Sequence, residues 1–388
     1  LRDKTRRSLL VVCGETSGEA HAAGVIGHLM DLTPGCEWCV FGSGGEKLRE
    51  QGTDILLDVA RLSAIGPKAA LENIRNYLSL RKRILTRVRR EKPDLALLVD
   101  FPDFNLPLAR KLKKAGIPVC YFISPQLWAW RKSRVKQIRK YVDLMLVIFP
   151  FEEAFYREHQ VNAVYVGNPT AARLSILKKK DGFGQCPPHD KPVVALLPGS
   201  RAREVDLLLP VELAAADFVS RETEARFLVF RAPEIPRGLL EERIEQFTRG
   251  STLDIEVVDS DYELLAGSDC AIVKSGTSTL ETLLLGVPFA LIYKLPLASY
   301  LLLRPFVWTR TFCLANLVAE EKLVPEFVQH DATGRNIGTY ILSLLDNRDR
   351  MESIRESFLR VEQKLGDQDG DRRVAEEIID TFYAPKSL

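Results

Sequence analysis

Two carboxylates follow a short apolar run near residue 100. The run Leu95–Val99 has the pattern of a buried strand, and Asp100 and Asp103 come directly after it, around Phe101-Pro102. A carboxylate at the end of such a strand can take the proton from a substrate hydroxyl, as a general base does. Asp103 is better placed to cap the helix that follows. For Asp100 a turn or cap role is the alternative, and position alone leaves both open.

Two loops in the second half of the chain could bind phosphate. Residues 195–197 run into a Pro-Gly-Ser-Arg loop, and residues 271–273 run into a Lys-Ser-Gly-Thr-Ser-Thr stretch. Free backbone N–H groups at a helix start attract anions, and an arginine can hold two phosphate oxygens. The alternative is that both helices are merely well capped. The candidate phosphate-binding residues are Gly199, Ser200, Arg201, Ser275, Gly276, Thr277, Ser278 and Thr279.

Neighbouring residues narrow the chemistry of these loops. Glu281, one turn into the second helix, could accept hydrogen bonds from ribose hydroxyls. Neither loop has the lysine of a Walker P-loop, which disfavours NTP hydrolysis, and the first-half loop at 14–18 has no G-x-G-x-x-G match. In that loop Glu15 and Ser17 are candidate contacts to a second substrate, the acceptor of a transferred group, with simple turn chemistry as the alternative. No carboxylate pair with metal-ligand spacing accompanies the second half, so we expect neither metal nor cofactor.

Short apolar runs alternate with longer helical patterns in both halves of the chain. Such runs are typical of strands covered on both faces, so the alternation predicts an α/β fold with doubly wound parallel sheets. Ligands of these sheets bind beyond the carboxyl ends of the strands, where Asp100 and both glycine loops fall. The predicted strands lie at 9–13, 95–99, 119–123 and 144–148 in the first half and at 193–197, 227–230, 255–258, 271–273 and 289–293 in the second.

Length and one linker predict the domain organisation. At 388 residues the chain exceeds what one hydrophobic core usually serves. The stretch 178–192 is rich in Lys, Gly and Pro, has no apolar period and is typical of a linker. We therefore predict a Rossmann-like domain at 1–175, a second one at 190–345, and a helical segment at 346–388 that could pack back on the first domain.

Composition limits the class of protein. Hydrophobic residues make up 46 % and charged residues 27 %, as in globular proteins, and a net charge of only +2 argues against a general nucleic-acid binder. Seven cysteines, an odd number, suggest reduced thiols and a cytoplasmic location. No apolar run approaches the ~18 residues that a membrane span needs.

Three stretches combine cations with apolar residues. Residues 75–92 contain eight Lys or Arg against one acid, residues 131–140 contain six, and residues 294–310 mix leucines and aromatics with cations. Together they favour contact with an anionic membrane surface. Taken singly, an ordinary helix whose apolar side faces the core is the alternative. No nucleic-acid-binding motif accompanies these cations, so we expect no nucleic-acid partner.

Taken together, these motifs resemble those of the lipid-A-disaccharide synthases, which are inverting glycosyltransferases with two Rossmann-like domains. The resemblance runs from about residue 9 to residue 331. Its most specific stretches are Ser-Pro-Gln-Leu-Trp-Ala-Trp-Arg at 124–131 and Asp-Phe-Pro-Asp-Phe-Asn at 100–105. The glycine-serine loop is shared more widely among UDP-sugar enzymes. The other matching motifs lie at 14–18, 197–201, 275–281, 316–317 and 323–326.

The resemblance implies a fold, a reaction and a set of site residues. The fold is of the GT-B type, with two Rossmann-like domains facing across a cleft. The reaction transfers 2,3-diacylglucosamine from UDP-2,3-diacylglucosamine to the 6-hydroxyl of 2,3-diacylglucosamine 1-phosphate (lipid X) with inversion, giving the β-1′,6-linked lipid A disaccharide 1-phosphate and UDP. Asp100 would be the general base of this reaction. The protein would be cytoplasmic and peripherally associated with the inner membrane. The resemblance adds Asn316 to the donor site and Gly14, Gly18 and Asn105 to the acceptor site.

The sequence also departs from the family pattern at two places. After Asn316-Leu317 it has Val-Ala-Glu-Glu-Lys at 318–322, where the family has Leu-Ala-Gly and a basic residue, so a cation there is not carried over. The family's Val-Gly-His-Pro is here Val-Gly-Asn-Pro, with Asn168 in place of the imidazole. The alternatives are another UDP-sugar enzyme of this architecture, such as an epimerase or a peptidoglycan-precursor transferase, and a non-catalytic, membrane-associated nucleotide-binding module.

Overall fold

The structure is a computed structural model that describes residues 5–59, 67–184, 190–249, 253–303 and 311–383. The chain divides into two compact units. Unit 1 consists of Leu1–Pro169 together with Gln368–Leu388, and unit 2 consists of Thr170–Asp367. The first boundary therefore lies at Pro169 rather than at the predicted residue 175, and the chain returns to unit 1 near its end.

Unit 1 is built on a seven-stranded parallel sheet. Its strands are β1 (Thr5–Val12), β2 (Cys36–Gly44), β3 (Asp54–Asp58), β4 (Leu95–Val99), β5 (Val119–Phe122), β6 (Leu144–Val147) and β7 (Ala163–Tyr165). They lie in the order β3-β2-β1-β4-β5-β6-β7, and all pairings are parallel. The central strands are continuous apolar runs, fully buried in the case of β4, as a parallel sheet covered on both faces requires.

The helices of unit 1 connect these strands. They are α1 (Thr16–Leu32), α2 (Glu46–Glu50), α3 (Pro67–Glu91), α4 (Pro102–Lys114), α5 (Val135–Tyr141), preceded by a 3-10 turn at Lys132–Arg134, and α6 (Pro150–Glu158). Helix α3 carries most of the first basic stretch. Its residues Leu80, Ile84 and Val88, four apart, are buried in the core, whereas Leu78 is half exposed. The apolar side of this helix, so far as the structure describes it, faces the core, as the ordinary amphipathic alternative expects.

Unit 2 repeats the plan with six strands. They are β8 (Val193–Leu197), β9 (Arg226–Arg231), β10 (Asp254–Asp259), β11 (Cys270–Lys274), β12 (Phe289–Tyr293) and β13 (Glu326–Val328). Their order is β10-β9-β8-β11-β12-β13, again all parallel. The helices are α7 (Pro169–Lys178), α8 (Ala202–Ser220), α9 (Arg237–Thr248), α10 (Tyr262–Ala266), α11 (Thr277–Leu284), α12 (Leu297–Leu303), α13 (Leu314–Ala319), α14 (Gly334–Leu345) and α15 (Arg348–Leu365). The prediction of an α/β fold with two parallel sheets is confirmed.

Both sheets have a topological switch point near their centre. In unit 1 the chain winds outward from β1 on one side and from β4 on the other, and in unit 2 it does the same from β8 and β11. The helices that follow two such strands leave in opposite directions, which opens a crevice at the carboxyl edge where ligands of open α/β sheets bind. The loops after β1, β4, β8 and β11 are therefore the places to look for a site.

The predicted helical segment 346–388 is divided between the units. Helix α15 belongs to unit 2, whereas the last helix, α16 (Gly370–Phe382), packs on α1 in unit 1. His21 and His28 of α1 pair with Asp371 and Asp369 at the start of α16, with N···O distances of 3.0 and 3.1 Å. A side chain at Gly24 of α1 would lie 2.5 Å from the Asp371 carboxylate, so the close approach of the two helices depends on that glycine.

A carboxyl group lies in the core of unit 2 on α8. Glu212 is completely buried, and neither of its carboxylate oxygens has a hydrogen-bond partner among the residues that the structure describes. Burial raises the pKa of Glu212 well above its ordinary value, which favours the neutral, protonated form in the folded protein. The unfolded chain releases this proton at lower pH, so the carboxyl group costs stability as the pH rises.

Glu212→Met should therefore stabilise the protein, and more strongly at high pH. We expect a gain of about 1–3 kcal/mol in the free energy of unfolding at pH 8, because an unpaired polar group is replaced by an apolar one, and a smaller gain at pH 5. Denaturant unfolding at the two pH values measures this, with Glu222→Met, a change at an exposed glutamate just after α8, as the control. Equal gains at both pH values would show that Glu212 is not a buried, protonated group.

Candidate active site

The loop between β4 and α4 presents Asp100 on a strained turn. Asp100 and Phe101 both have left-handed dihedrals, with φ of 46° and 52°, which non-glycine residues rarely adopt. The turn is held by its surroundings, because the Asp100 N–H donates to the Phe122 carbonyl at 2.8 Å and the buried Tyr121 hydroxyl donates to the Asp100 carbonyl at 2.6 Å. These hydrogen bonds fix the position of the Asp100 backbone, and so of its side chain, at the switch point of unit 1.

Asn105 adds to this anchoring of the turn. Its side chain is 0 % exposed, and its amide Nδ2 donates to the carbonyls of Asp100, Val99 and Val12 at 2.8, 3.3 and 3.4 Å. These carbonyls lie at the ends of β4 and β1, the two strands of the switch point. The amide nitrogen of Asn105 thus positions the turn, and its acceptor contact stays a prediction.

The loop after β1 lies against the same turn. A side chain at Gly14 would lie 2.3 Å from the Phe101 ring, so glycine is needed for that ring to pack there. Gly18 is also buried, with ordinary contact distances, whereas Glu15 and Ser17 are exposed on the loop. The two glycines therefore shape the loop, and Glu15 and Ser17 are left as the predicted acceptor contacts.

Burial raises the pKa of Asp100 to about 6, and the negative charge of Glu15 adds to this effect. A backbone hydrogen bond from Phe101 acts in the opposite direction and offsets part of the shift. The pKa of a base is most useful near the working pH, because the group is then both ionised and basic enough to accept a proton. Asp100 has that property at neutral pH.

Asp100 lines a cavity of about 270 Å³ that belongs entirely to unit 1. Its wall contains Glu152 of α6, which the sequence reasoning missed. Glu152 is only 2 % exposed, and its Oε1 accepts hydrogen bonds from Ser124 Oγ at 2.9 Å and from Trp128 Nε1 at 3.2 Å. Burial raises the pKa of Glu152 to about 7. Both donors belong to the Ser-Pro-Gln-Leu-Trp-Ala-Trp-Arg stretch at 124–131. The high family specificity of that stretch was the sequence signal for a functional role of this region.

Asp103 does not cap α4 through its side chain. It lies in the first turn of that helix, but the helix start has no side-chain cap. Its Oδ1 instead accepts from Arg134 at 2.6 Å and from Arg131 at 3.4 Å. The capping prediction is wrong because Arg131 and Arg134, from the end of the Trp-Ala-Trp-Arg stretch and the 3-10 turn after it, bind the carboxylate instead.

In unit 2 the two glycine loops lie side by side, because β8 and β11 are neighbours in the sheet. Gly199 has a φ of 117°, and Arg201, 81 % exposed, is the N-cap of α8. The carboxylate of Glu204 lies over this loop, where it accepts from the Ser200 N–H at 3.3 Å and pairs with Lys274 at 3.1 Å. The Ser200 N–H and Lys274 thus already hold an anion, and Lys274 was not among the predicted residues.

The hydroxyls of the second loop are not equivalent. Thr279 is fully buried and donates to the Gly276 carbonyl at 2.8 Å, so it stabilises the start of α11 and is turned away from solvent. Ser275 Oγ donates to the Phe312 carbonyl at 2.9 Å. Thr277 is exposed and Ser278 is partly exposed at the helix start. The Thr279 hydroxyl thus has an internal partner, and a ligand contact at Thr279 stays a prediction.

Glu281 has partners within unit 2. Its Oε1 accepts from the Tyr262 hydroxyl at 2.6 Å and from Arg173 at 3.0 Å, and the side chain is largely buried. These contacts orient the carboxylate on α11, one turn beyond the glycine loop. The ribose role of Glu281 stays a prediction.

The polar atoms of the Asn316 side chain all have hydrogen-bond partners within unit 2. Its Nδ2 donates to the Val324 carbonyl and to Glu326 Oε1, both at 2.9 Å, and its Oδ1 accepts from the N–H groups of Leu323 and Val324. Glu326 in turn accepts from the N–H of Phe312, whose carbonyl receives the Ser275 hydroxyl. Through these contacts Asn316 helps to position the Ser275 loop, and the donor contact implied by the resemblance stays a prediction.

The departures from the family pattern lie in ordered structure. The side chain of Asn168, buried in unit 1, donates to the Ile148 carbonyl at the end of β6, at 3.0 Å. Glu320 ends α13 in a left-handed conformation and is exposed. Within the described ranges, no group of three or more His, Cys, Asp or Glu residues is arranged to hold a metal ion.

The chain is similar to one protein family over most of its length. A family model described as lipid-A-disaccharide synthetase matches residues 9–379. The chain is 38 % identical to the lipid-A-disaccharide synthase of Syntrophus aciditrophicus (strain SB), over 92 % of this chain and 93 % of that protein. It is 39 % identical to the lipid-A-disaccharide synthase of Anaeromyxobacter dehalogenans (strain 2CP-C), over 96 % of each.

Solved structures with more distant sequences share the fold. The UDP-GlcNAc 2-epimerase of Neisseria meningitidis, bound to UDP-GlcNAc, superposes with a TM-score of 0.62 at 13 % identity, covering 96 % of this chain and 100 % of that one. MurG of Acinetobacter baumannii superposes with a TM-score of 0.54 at 16 % identity, covering 97 % and 99 %. At such identities the likeness shows the fold alone, which is of the GT-B type.

The environment of Asp100 predicts the acidic limb of the pH profile. If Asp100 is the base, it must be ionised, so kcat/KM should fall about tenfold per pH unit below pH ~6. Glu15→Gln removes a neighbouring negative charge and should move this limb to lower pH, whereas the buried Glu152, changed to Gln, should leave it near 6. Initial rates between pH 4.5 and 8.5 measure the limb. If the acidic limb does not move in Glu15→Gln but moves in Glu152→Gln, the group that titrates is Glu152 and not Asp100.

Proposed function

This chain belongs to the lipid-A-disaccharide synthase family, and from that membership we propose that it transfers 2,3-diacylglucosamine from UDP-2,3-diacylglucosamine to the 6-hydroxyl of 2,3-diacylglucosamine 1-phosphate. The reaction inverts the anomeric centre and gives the β-1′,6-linked lipid A disaccharide 1-phosphate and UDP. The observation that carries the proposal is Asp100, a desolvated carboxylate on a strained turn at the switch point of unit 1.

Asp100 acts as the general base. It takes the proton from the acceptor 6-hydroxyl as that oxygen attacks the anomeric carbon, while the bond from that carbon to the UDP oxygen breaks on the opposite face. One displacement of this kind inverts the centre. Its raised pKa suits it to the work, because it stays mostly ionised at neutral pH and is more basic than an ordinary aspartate. Glu15 and Ser17, exposed on the adjacent loop, contact the acceptor.

Unit 2 binds UDP by its diphosphate. The N–H groups at the starts of α8 and α11 and the side chains of Arg201 and Lys274 supply positive charge to the leaving group. The carboxylate of Glu204 accepts from the Ser200 N–H and pairs with Lys274, so a bound diphosphate replaces one anion by another at these groups. The Glu281 carboxylate accepts hydrogen bonds from the ribose hydroxyls. We assign this work to the protein without a metal ion.

We also propose that the protein works at the cytoplasmic surface of the inner membrane, because both substrates carry acyl chains. Leu297 and Leu301, one turn apart on α12, are 70 % and 59 % exposed, and the stretch 131–140 adds exposed cations. Part of the third stretch, residues 304–310, lies outside the described residues. In the portion of the chain that the structure describes, no helix has the length and apolar character needed to cross a bilayer.

Asp100→Asn should lower kcat by roughly 10²- to 10⁴-fold, because an amide cannot accept the proton. Binding of UDP should not change, since the nucleotide is held by unit 2. Disaccharide formation from detergent-dispersed substrates gives the first quantity and calorimetry gives the second. Asp31→Asn, which neutralises an exposed carboxylate on α1, is the matched control. A kcat for Asp100→Asn equal to that of the control would remove Asp100 from the mechanism.

Arg201→Ala and Lys274→Ala should each weaken UDP binding by about 10- to 100-fold, the loss expected for one charge-assisted hydrogen bond. Arg221→Ala, at the far end of α8 where the side chain pairs with Asp217, is the matched control and should bind UDP normally. Calorimetry with UDP in the presence of EDTA tests both points. Unchanged affinity in both variants, or affinity lost on adding EDTA, would contradict a diphosphate site made of protein cations.

A further inference from the structure

The Ser-Pro-Gln-Leu-Trp-Ala-Trp-Arg stretch at 124–131 takes no part in the proton transfer or the UDP binding proposed above. It follows β5 and forms the loop before α5, so it lies at the same carboxyl edge of the sheet as Asp100. Its side chains make up a large part of the wall of the 270 Å³ cavity. The residues of this stretch that line the cavity are Ser124, Pro125, Gln126, Leu127, Trp130 and Arg131.

One residue that lines the cavity, Glu152, has a carboxyl group that is buried in the protein. Ser124 and Trp128 both donate to Oε1 of Glu152. The other oxygen, Oε2, is buried and receives no side-chain hydrogen bond from the described residues, although backbone groups at Phe149 and Ile148 lower the pKa of the carboxyl group. A buried carboxyl group without a side-chain donor for each oxygen is costly, so Glu152 favours a ligand with hydroxyl groups in this cavity.

The same cavity carries two guanidinium groups on its wall. Arg131 and Arg134 both approach Oδ1 of Asp103, so one carboxylate neutralises only one of two cations. The Asp103 side chain is 73 % exposed, and ion pairs in such places are weak. Arg131 also stacks over the Trp130 ring at 4.3 Å, which holds its planar group beside the cavity. A phosphate group could therefore take both guanidinium groups from the aspartate at little cost.

The volume of the cavity limits what it takes. About 270 Å³ is just below the ~300 Å³ at which pockets for drug-sized ligands begin, so it suits a sugar phosphate and not two acyl chains. Ile148, Phe149 and Leu127 provide an apolar wall on which a pyranose ring can lie. A hydroxylated ring with an anionic group matches the Glu152 carboxyl group and the two arginines, and Asp100 lines the same cavity.

We propose that this cavity binds the glucosamine 1-phosphate head of the acceptor, with Arg131 and Arg134 on the phosphate and Glu152 on a ring hydroxyl. Bound in this way, the sugar presents its 6-hydroxyl to Asp100 and its acyl chains extend out of the cavity. The inference rests on the proposed function and names the residues that select this acceptor.

The test pairs the arginine with the phosphate. Initial rates are measured in nonionic detergent without anionic lipid, using the 1-phosphate acceptor and the same diacylglucosamine without its phosphate. For the wild type, we expect the acceptor KM to rise by about 10- to 100-fold when the phosphate is removed. For Arg134→Ala, KM for the phosphorylated acceptor should rise by a similar factor, and the difference between the two acceptors should shrink to less than about threefold. Arg110→Ala, an exposed arginine on α4 that does not line the cavity, should keep the full difference.

A second variant tests the carboxylate. Glu152→Gln keeps an oxygen for Ser124 and Trp128 but puts an amide nitrogen in place of Oε2. We expect KM to rise by about tenfold or more for both acceptors alike, with the UDP affinity and the melting temperature unchanged, since the hydroxyl contact does not involve the phosphate.

The outcomes separate this inference from the function on which it rests. A wild-type protein that forms no disaccharide would overturn both. If disaccharide forms and depends on Asp100, but Arg134→Ala still discriminates between the acceptors as the wild type does, only the cavity assignment fails. The assignment also fails if Arg134→Ala changes the KM for the UDP-sugar and not that for the acceptor. Should Glu152→Gln not fold, the arginine series alone decides.

Discussion

The turn between β4 and α4 is the constraint on which the rest of the site depends. Two adjacent non-glycine residues, Asp100 and Phe101, hold left-handed dihedrals there, at a cost of the order of 1–3 kcal/mol each. Such a conformation persists only where its neighbours enforce it. Tyr121 and Asn105 do so by hydrogen bonds to the Asp100 carbonyl, and Gly14 leaves room for the Phe101 ring. The result is a carboxylate at the edge of the sheet, partly stripped of water and therefore more basic than usual.

The two units use the same topology for opposite charges. Each has a switch point between its first strand and the strand that starts the second direction of winding. In unit 1 that edge carries the carboxylates Asp100 and Glu15, which suit proton transfer from a sugar hydroxyl. In unit 2 it carries helix starts with Arg201 and Lys274, which suit a diphosphate. In the mechanism that we propose, proton transfer takes place at the edge of unit 1 and stabilisation of the leaving group at the edge of unit 2.

The sequence predicted the sheets and the loops better than the side-chain directions. Continuous apolar runs identify the central strands because both faces are covered, whereas the short strands β3, β7 and β13, at or next to the sheet edges, are only half buried and give no such run. Strand order places the loops after β1, β4, β8 and β11 on the correct edges. It does not reveal which way a polar side chain turns. Asn105, Asn316 and Thr279, for example, all donate hydrogen bonds to backbone carbonyls of their own unit, and no sequence motif shows this. Glu152 and Lys274 were missed for the converse reason, since only tertiary contacts show what they face.

The central claim is that the strained turn places the Asp100 carboxylate on the acceptor hydroxyl. A crystal structure of Asp100→Asn with 2,3-diacylglucosamine 1-phosphate and UDP bound measures this directly. The account predicts that the 6-oxygen of the acceptor lies within about 2.6–3.2 Å of the residue-100 side chain, the range in which a proton can pass. An acceptor bound in an ordered pose with its 6-oxygen beyond reach of residue 100, and beside another acid or base, would contradict it.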